Sequence, residues 1–313
     1  MRDEWREEEA GSSDVEQLVY LSNLIGRDLN LVQPGGGNTS VKLTEPDIFG
    51  QAAQALVVKG SGTDLRTIGP AGFTHLYLDR LERVFARDGV SDEEMMQLMG
   101  AAMLFPGRDP LPSVETLLHS LVPHRFVAHT HDVATLSLTD TPSAREHVAR
   151  VYGEEAAFIE YVRPGFPLAK RLRELFPEGP PERARALVME KHGLAAWGDS
   201  ARECYDNLRA TIARAEEYAA ERSAGKRSFG APGRVFEREE RRAILLRVLP
   251  VLRGELRRLG FHCVLAADDS DERAEAAAGE RFADIAARGV MTPEHILRCG
   301  VRPLVLESAA FAP

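Results

Sequence analysis

Two histidines one residue apart, His129 and His131, lie in the segment FVAHTHD, and a third, His192, lies in MEKHGLAAWG. Alternate residues of a strand face the same way, so a strand entering this triplet would point both imidazoles at one place. Three histidines with an open position are a recognised arrangement for catalytic zinc. A satisfied core histidine beside a surface one would give the same HxH pair, and it is His192 that moves the reading towards a metal. Glu115 precedes the pair by 14 residues on a segment with helical spacing, next to the predicted histidine strand. It also stands four residues before His119 on one helical face, and a Glu115–His119 ligand set is the alternative. His75, His147, His262 and His295 have no close histidine partner, and His124 follows the helix end.

Two glycine-rich turns lie upstream. Gly35 to Gly37 lead through Asn38, Thr39 and Ser40 into an apolar strand, and Lys59, Gly60, Ser61, Gly62 and Thr63 follow another. Successive glycines let backbone N–H groups converge on an anion. A permissive hairpin would look the same. Neither turn has the glycine spacing of a Walker A loop or a dinucleotide fingerprint.

The elements that must position these groups follow from periodicity. Val15, Leu18, Leu21 and Ile25 predict a first helix, residues 74–103 read as mostly helical with a break near Gly89, and Ser113 caps a helix carrying Leu117, Leu118 and Leu121. Phe126 to Ala128 predict the strand that enters the histidine pair, while 133–138 fit a short helix or a continuing strand. Ala186 to Met189 predict a buried strand that delivers His192, and Ser200 to about Gly225 a long helix. Polar, glycine-rich residues near 225–233 suggest a boundary. The chain then divides into a flexible acidic arm (1–13), a catalytic domain (14–225) and an accessory α/β segment (226–313), the last with strands at Phe261–Ala266 and Pro303–Leu306.

Composition narrows the function classes. A length of 313 residues allows one to three domains, and 44% hydrophobic with 28% charged residues is ordinary globular content. A formal charge of −9 argues against nucleic acid, which demands a basic face. Cys204, Cys263 and Cys299 are odd in number and scattered, giving neither a disulfide framework nor a thiolate zinc site. The opening MRDEWREEEA lacks the basic head and apolar core of a signal peptide, and no stretch reaches the roughly 18 apolar residues of a membrane span. A cytoplasmic protein is expected.

Five blocks, GGGNTSVKL, KGSGTDL, PSVETLLHSLVPHRFVAHTHDVATLSLTD, PGFPLAK and MEKHGLAAWG, resemble in order the signature blocks of the class II aldolase and adducin family, over residues 15–220. Within it the chain is most similar to the aldolase half of bifunctional rhamnulose-1-phosphate aldolase/alcohol dehydrogenase proteins. The resemblance implies a three-layer αβα fold around a mainly antiparallel sheet. It implies one divalent ion per subunit, zinc with manganese or cobalt as alternatives, on His129, His131 and His192, with Glu115 as acid/base. It also implies a phosphorylated sugar substrate, with phosphate contacts at Gly37, Asn38, Ser40, Lys59, Ser61, Gly62 and Ser113. Val114 replaces the second of two serines before the family glutamate, which weakens that last contact. A tyrosine from a neighbouring subunit would protonate the aldehyde half, with Tyr152 and Tyr161 as candidates, so a homo-oligomer, a tetramer by resemblance, is expected.

The reaction implied is retro-aldol cleavage of a rhamnulose-1-phosphate-like 6-deoxyketose to dihydroxyacetone phosphate and lactaldehyde. Partial burial would have to bring the Glu115 pKa nearer neutrality. A sugar-phosphate 4-epimerase and a non-catalytic adducin-like interaction module are the rival readings. A nucleotide-dependent dehydrogenase lacks its fingerprint here.

Overall fold

A computed structural model describes residues 1–306, which form two compact units: residues 1–222 with 291–297, and residues 223–290 with those from 298 onward. The first unit is built on seven strands: β1 (Asn38–Pro46), β2 (Ala52–Lys59), β3 (Phe73–Tyr77), β4 (Phe126–Thr130), β5 (Ala156–Ile159), β6 (Ala186–Met189) and β7 (Gly193–Gly198). Their order is β3-β2-β1-β4-β7-β6-β5, antiparallel throughout except for β5 with β6. Its helices are α1 (Asp14–Arg27), α2 (Leu78–Val84), α3 (Asp92–Ala101), α4 (Thr116–Leu121), α5 (Val133–Thr139), α6 (Ala144–Tyr152), α7 (Phe166–Leu175) and α8 (Ala201–Ser223).

Strand alternation divides these helices into two layers. On β4, Phe126 and Ala128 join a core with Leu21 and Ile25 of α1 and Leu208 and Ile212 of α8. Val127 faces the other way, against Leu118 of α4 and Leu168 and Leu172 of α7. A third cluster packs α2 and α3 on β2 and β3 through Leu56, Val58, Leu81 and Met95. The result is a three-layer α/β fold with a mixed, mainly antiparallel sheet. Because residues two apart share a face, His129 follows Val127 and looks towards the α4 side.

Several expectations change. Residues 73–77 form an edge strand and not the start of a helix, pairing with β2 from Ala55↔Tyr77 to Lys59↔Phe73. Residues 133–139 are helical because Asp132 accepts the Thr135 N–H at 2.8 Å and caps α5. The acidic arm is docked: Trp5 stacks edge-on to Tyr20 at 5.0 Å, Ala10 is buried, and the Arg6 N–H donates to the Tyr20 hydroxyl at 2.9 Å.

The second unit contains α9 (Arg238–Arg258), α10 (Asp271–Ala277) and α11 (Phe282–Arg288). Neither expected strand forms: residues 261–266 and 303–306 have no regular structure, so among the described residues this unit is helical and not α/β. A final helix, α12 (Pro293–Arg298), carries the 291–297 segment that belongs to the first unit. Among the described residues no helix is long and apolar enough to cross a membrane.

Candidate functional site

Four elements converge at one end of the sheet. β4 places His129 at its last turn of pleat, with His131 just beyond the strand. Across the ladder His129 pairs with Asn38 of β1 on one side and Ala195 of β7 on the other. His192 lies in the tight turn between β6 and β7, where Lys191 takes φ 55°. Gly193 closes that turn at φ 154°, and a Cβ there would stand 2.1 Å from the Thr130 carbonyl oxygen, so only glycine lets the turn approach β4. Glu115 occupies the N-cap position of α4 but makes no side-chain capping bond, which removes helix capping as its role.

One ligand atom from each of Glu115, His129, His131 and His192 lies within 4.8 Å of all the others, and all four residues are buried. The His129 and His131 Nε2 atoms are 2.9 Å apart. Glu115 Oε1 lies 2.8 Å from His192 Nε2 and 3.4 Å from His129 Nε2. His129 donates from Nδ1 to the Leu194 carbonyl at 2.9 Å, which leaves the Nε2 lone pair facing inward. Lone pairs brought this close repel unless a cation or proton lies among them. Glu115 Oε1 is buried with no hydrogen-bond partner, as a ligand atom would be. The residues present therefore fit a divalent ion with mixed imidazole and carboxylate ligation.

The cluster's electrostatics depart from expectation. Burial pushes the Glu115 carboxyl up, but His129 and His192 beside it outweigh that and hold it well below the usual carboxylate range. The pKa does not move towards neutrality, because the histidines interact more strongly than burial penalises. For His129, burial acts downward and is overcome by the Glu115 carboxylate, which raises it. Burial lowers His192.

A hydrogen-bonded chain backs the carboxylate. Asn38 Nδ2 donates to Glu115 Oε2 at 2.6 Å, and Asn38 Oδ1 accepts from His119 Nε2. His119 Nδ1 in turn accepts from the Ser40 hydroxyl at 2.7 Å. Both ring nitrogens of His119 are thus engaged away from the cluster, and the alternative Glu115–His119 ligand set is not the one assembled. Lys42 holds the far end of α4, donating to the carbonyls of His119 and His124, each at 3.0 Å.

The sequence-derived anion contacts are placed differently from one another. Asn38 and Ser40 are buried within the chain just described. In the second turn the Gly60 N–H donates to Gly72, the Ser61 N–H to Leu111 and the Thr63 N–H to Gly60, so these donors close the loop on itself and do not converge on an open nest. In the first turn the Gly35 N–H donates to Asp64 Oδ2 and the Gly36 N–H to the Gln33 carbonyl. Gly37 packs under the His129 carbonyl at φ 60°. The Ser61 side chain and Gly62 are exposed, Ser113 is half-buried with its hydroxyl accepting the Glu115 N–H at 3.3 Å, and Lys59 donates to the Gly35 carbonyl at 3.3 Å. Of the tyrosines, Tyr152 is core, its phenol pushed up by burial, whereas Tyr161 is 54% exposed, with its N–H on Glu190 Oε2 at 3.1 Å.

The model of the class II aldolase and adducin N-terminal domain matches residues 16–219, and that of the aldolase class II second domain matches 243–312. The chain belongs to the class II aldolase and adducin family. It is 35% identical over 308 residues to "Uncharacterized oxidoreductase YuxG" of Bacillus subtilis, covering 97% of this chain and 44% of that protein. It thus spans less than half the length of that curated relative. Among solved structures, the N-terminal class II aldolase domain of a conserved protein from Thermoplasma acidophilum is 39% identical with a TM-score of 0.65, covering 70% of this chain and 99% of that one.

Sequence reasoning missed one member of the site. Glu294, in the first turn of α12, reaches His131 Nδ1 at 2.7 Å. It lies 163 residues along the chain from its partner in no motif, and only the tertiary fold reveals it. Asp132 carried a readable signal, an N-cap residue directly after the histidine pair.

Proposed function

We propose that this site carries out metal-dependent retro-aldol and aldol chemistry on a phosphorylated ketose, with a rhamnulose-1-phosphate-like 6-deoxyketose as substrate and dihydroxyacetone phosphate and lactaldehyde as products. The observation that carries the reading is the buried convergence of three imidazoles and one carboxylate in a family named for this chemistry. His129, His131 and His192 would hold the ion through Nε2. A divalent cation there supplies Lewis acidity for the negative charge that develops when a carbon–carbon bond next to a carbonyl breaks.

The remaining work falls to side chains. Glu115 moves a proton to and from the donor carbon, and Asn38, by donating to Oε2, leaves Oε1 as the atom turned to the site. His119 fixes Asn38 and so the angle of the carboxylate. Burial of all four cluster residues keeps bulk water from protonating the carbanion. For the phosphate, we look to the exposed Ser61 hydroxyl and Gly62 and the half-buried Ser113, because Lys59, Asn38 and Ser40 are buried and bonded within the chain. Tyr161 is the phenol accessible enough to serve the aldehyde half.

The test is an assay of metal-replete protein with phosphorylated and unphosphorylated 6-deoxyketoses, following the release of lactaldehyde, the product common to both. Activity should require the phosphate, vanish with a chelator and return with zinc, manganese or cobalt. A fully metallated protein that inverts the C4 centre without releasing the three-carbon product is an epimerase, and one that does neither refutes the catalytic reading.

A further inference from the structure

Glu294 is 4% exposed, and its Oε1 lies 2.7 Å from His131 Nδ1. A carboxylate on Nδ1 fixes the proton there and turns the Nε2 lone pair towards the cluster. Of the three histidines only His131 has this partner: His129 donates to a carbonyl, and His192 Nδ1 has no partner. The other oxygen, Oε2, is buried and unpartnered, a standing cost that packing alone would not retain, since a leucine would fill the space without it.

A second observation points the same way. Within the Gly35–Gly37 run, Gly35 and Gly37 take positive φ of 82° and 60°, which accounts for glycine at both. Gly36 does not, and an alanine would be acceptable to its backbone. What it would meet is Glu294: a Cβ on Gly36 would stand 1.5 Å from Oε1 and 2.4 Å from Cδ, so the carboxylate could not stay where it holds His131. The segment is held for this approach. The buried Thr292 bonds through Oγ1 to His295 Nδ1 at 2.7 Å, and Pro293 starts the helix that presents Glu294.

We propose that Glu294 is a positioning residue of the metal centre, brought by the 291–297 segment over the side-chain-free Gly36 to orient His131, and that Gly36 is glycine for that reason. This rests on the metal reading above. The sheet and α4 supply the ligands, but the 291–297 segment completes their outer support.

The full chain, stripped of metal, is titrated with Co²⁺ in competition with a chelator, and its absorption spectrum is recorded, for the wild type, Glu294→Ala, Glu294→Gln and Gly36→Ala. Glu294→Ala should weaken Co²⁺ binding by about 10- to 100-fold, the usual loss for an outer-shell partner. Glu294→Gln, which keeps an acceptor oxygen, should retain most of the affinity. Gly36→Ala changes no ligand and keeps the Glu294 side chain, but its Cβ takes the space of the carboxylate and pushes it off His131, so it should follow Glu294→Ala in both affinity and spectrum. Thermal midpoints of the metal-free proteins separate this from a loss of folding. Wild-type affinity in Glu294→Ala or in Gly36→Ala overturns the proposal. Unchanged Co²⁺ affinity with new binding of inorganic phosphate would overturn it too, by making Glu294 a plug over an anion site. If the wild type binds no Co²⁺, the metal reading fails first and takes this inference with it, whereas tight wild-type binding with indifferent variants sinks this inference alone.

Discussion

Glu115 is the residue on which the chemical reading turns. It is within ligand distance of the imidazoles, and it is also tethered by Asn38 through the other oxygen. If it moves protons and three imidazoles suffice to hold the ion, Glu115→Gln keeps the shape and about one metal per chain while kcat falls by about 10²- to 10⁴-fold, the usual range for a lost general acid/base. Metal stoichiometry and kcat measured on the same preparation decide it, because loss of the ion together with the activity would make Glu115 a ligand. At this scale the sequence was informative where chemistry and spacing coincide. Strand parity aimed His129 and His131 at one point, and a predicted strand end delivered His192. It was uninformative where a residue's role is set by what lies across the fold: the bonds of Asn38 to Glu115 and of Ser40 to His119 had no sequence signal, and Glu294 had no local signature.

Elements show the same division. The helices at 14–27 and 201–223 and the strands at 126–130 and 186–189 were legible because each repeats its period long enough or ends in a turn signal. β5 has four residues and β3 five, running into α2 without an intervening turn, too short for alternation to stand out. The apolar runs at 261–266 and 303–306 look like strands but have no ladder partner among the described residues, and a strand without one does not form. Helix α4 offers its own test through His119. Burial, with His129 adding to it, lowers the His119 pKa to about 3. The folded protein therefore keeps this ring neutral while the unfolded chain protonates it near its ordinary value. Stability from this group is full above about pH 6.5 and drains away as pH falls towards about 3, at about 1.4 kcal/mol per pH unit inside that window. His119→Gln, measured without metal by urea unfolding between pH 6 and pH 4, should flatten the slope by about that amount. Equal slopes in the two proteins would mean that His119 is protonated in the fold.

For the whole molecule the open matter is where a phenol would come from. Tyr152 is sealed in the core between β5, α6 and α8, and Tyr161, half exposed beyond the edge strand β5, faces outward from its own unit. Its N–H is held by Glu190, two residues before His192 in the same turn. If Tyr161 is the donor to a neighbouring copy, the active form is an assembly of closed symmetry. The consequence can be read from mixed subunits. Tyr161→Phe and Glu115→Gln should each be impaired alone. When the two are unfolded, mixed in equal amounts and refolded together, half of the sites keep Glu115 and half of those meet an intact Tyr161, so activity should return to about a quarter of wild type if the tyrosine acts across subunits. A tyrosine acting within its own chain gives no recovery, since every hybrid site then lacks one group or the other. Sedimentation of the active species adds a second arm: a fully active monomer rules out the neighbour's contribution whatever the hybrid shows, and a closed oligomer that recovers on mixing fixes both the residue and the direction in which it acts.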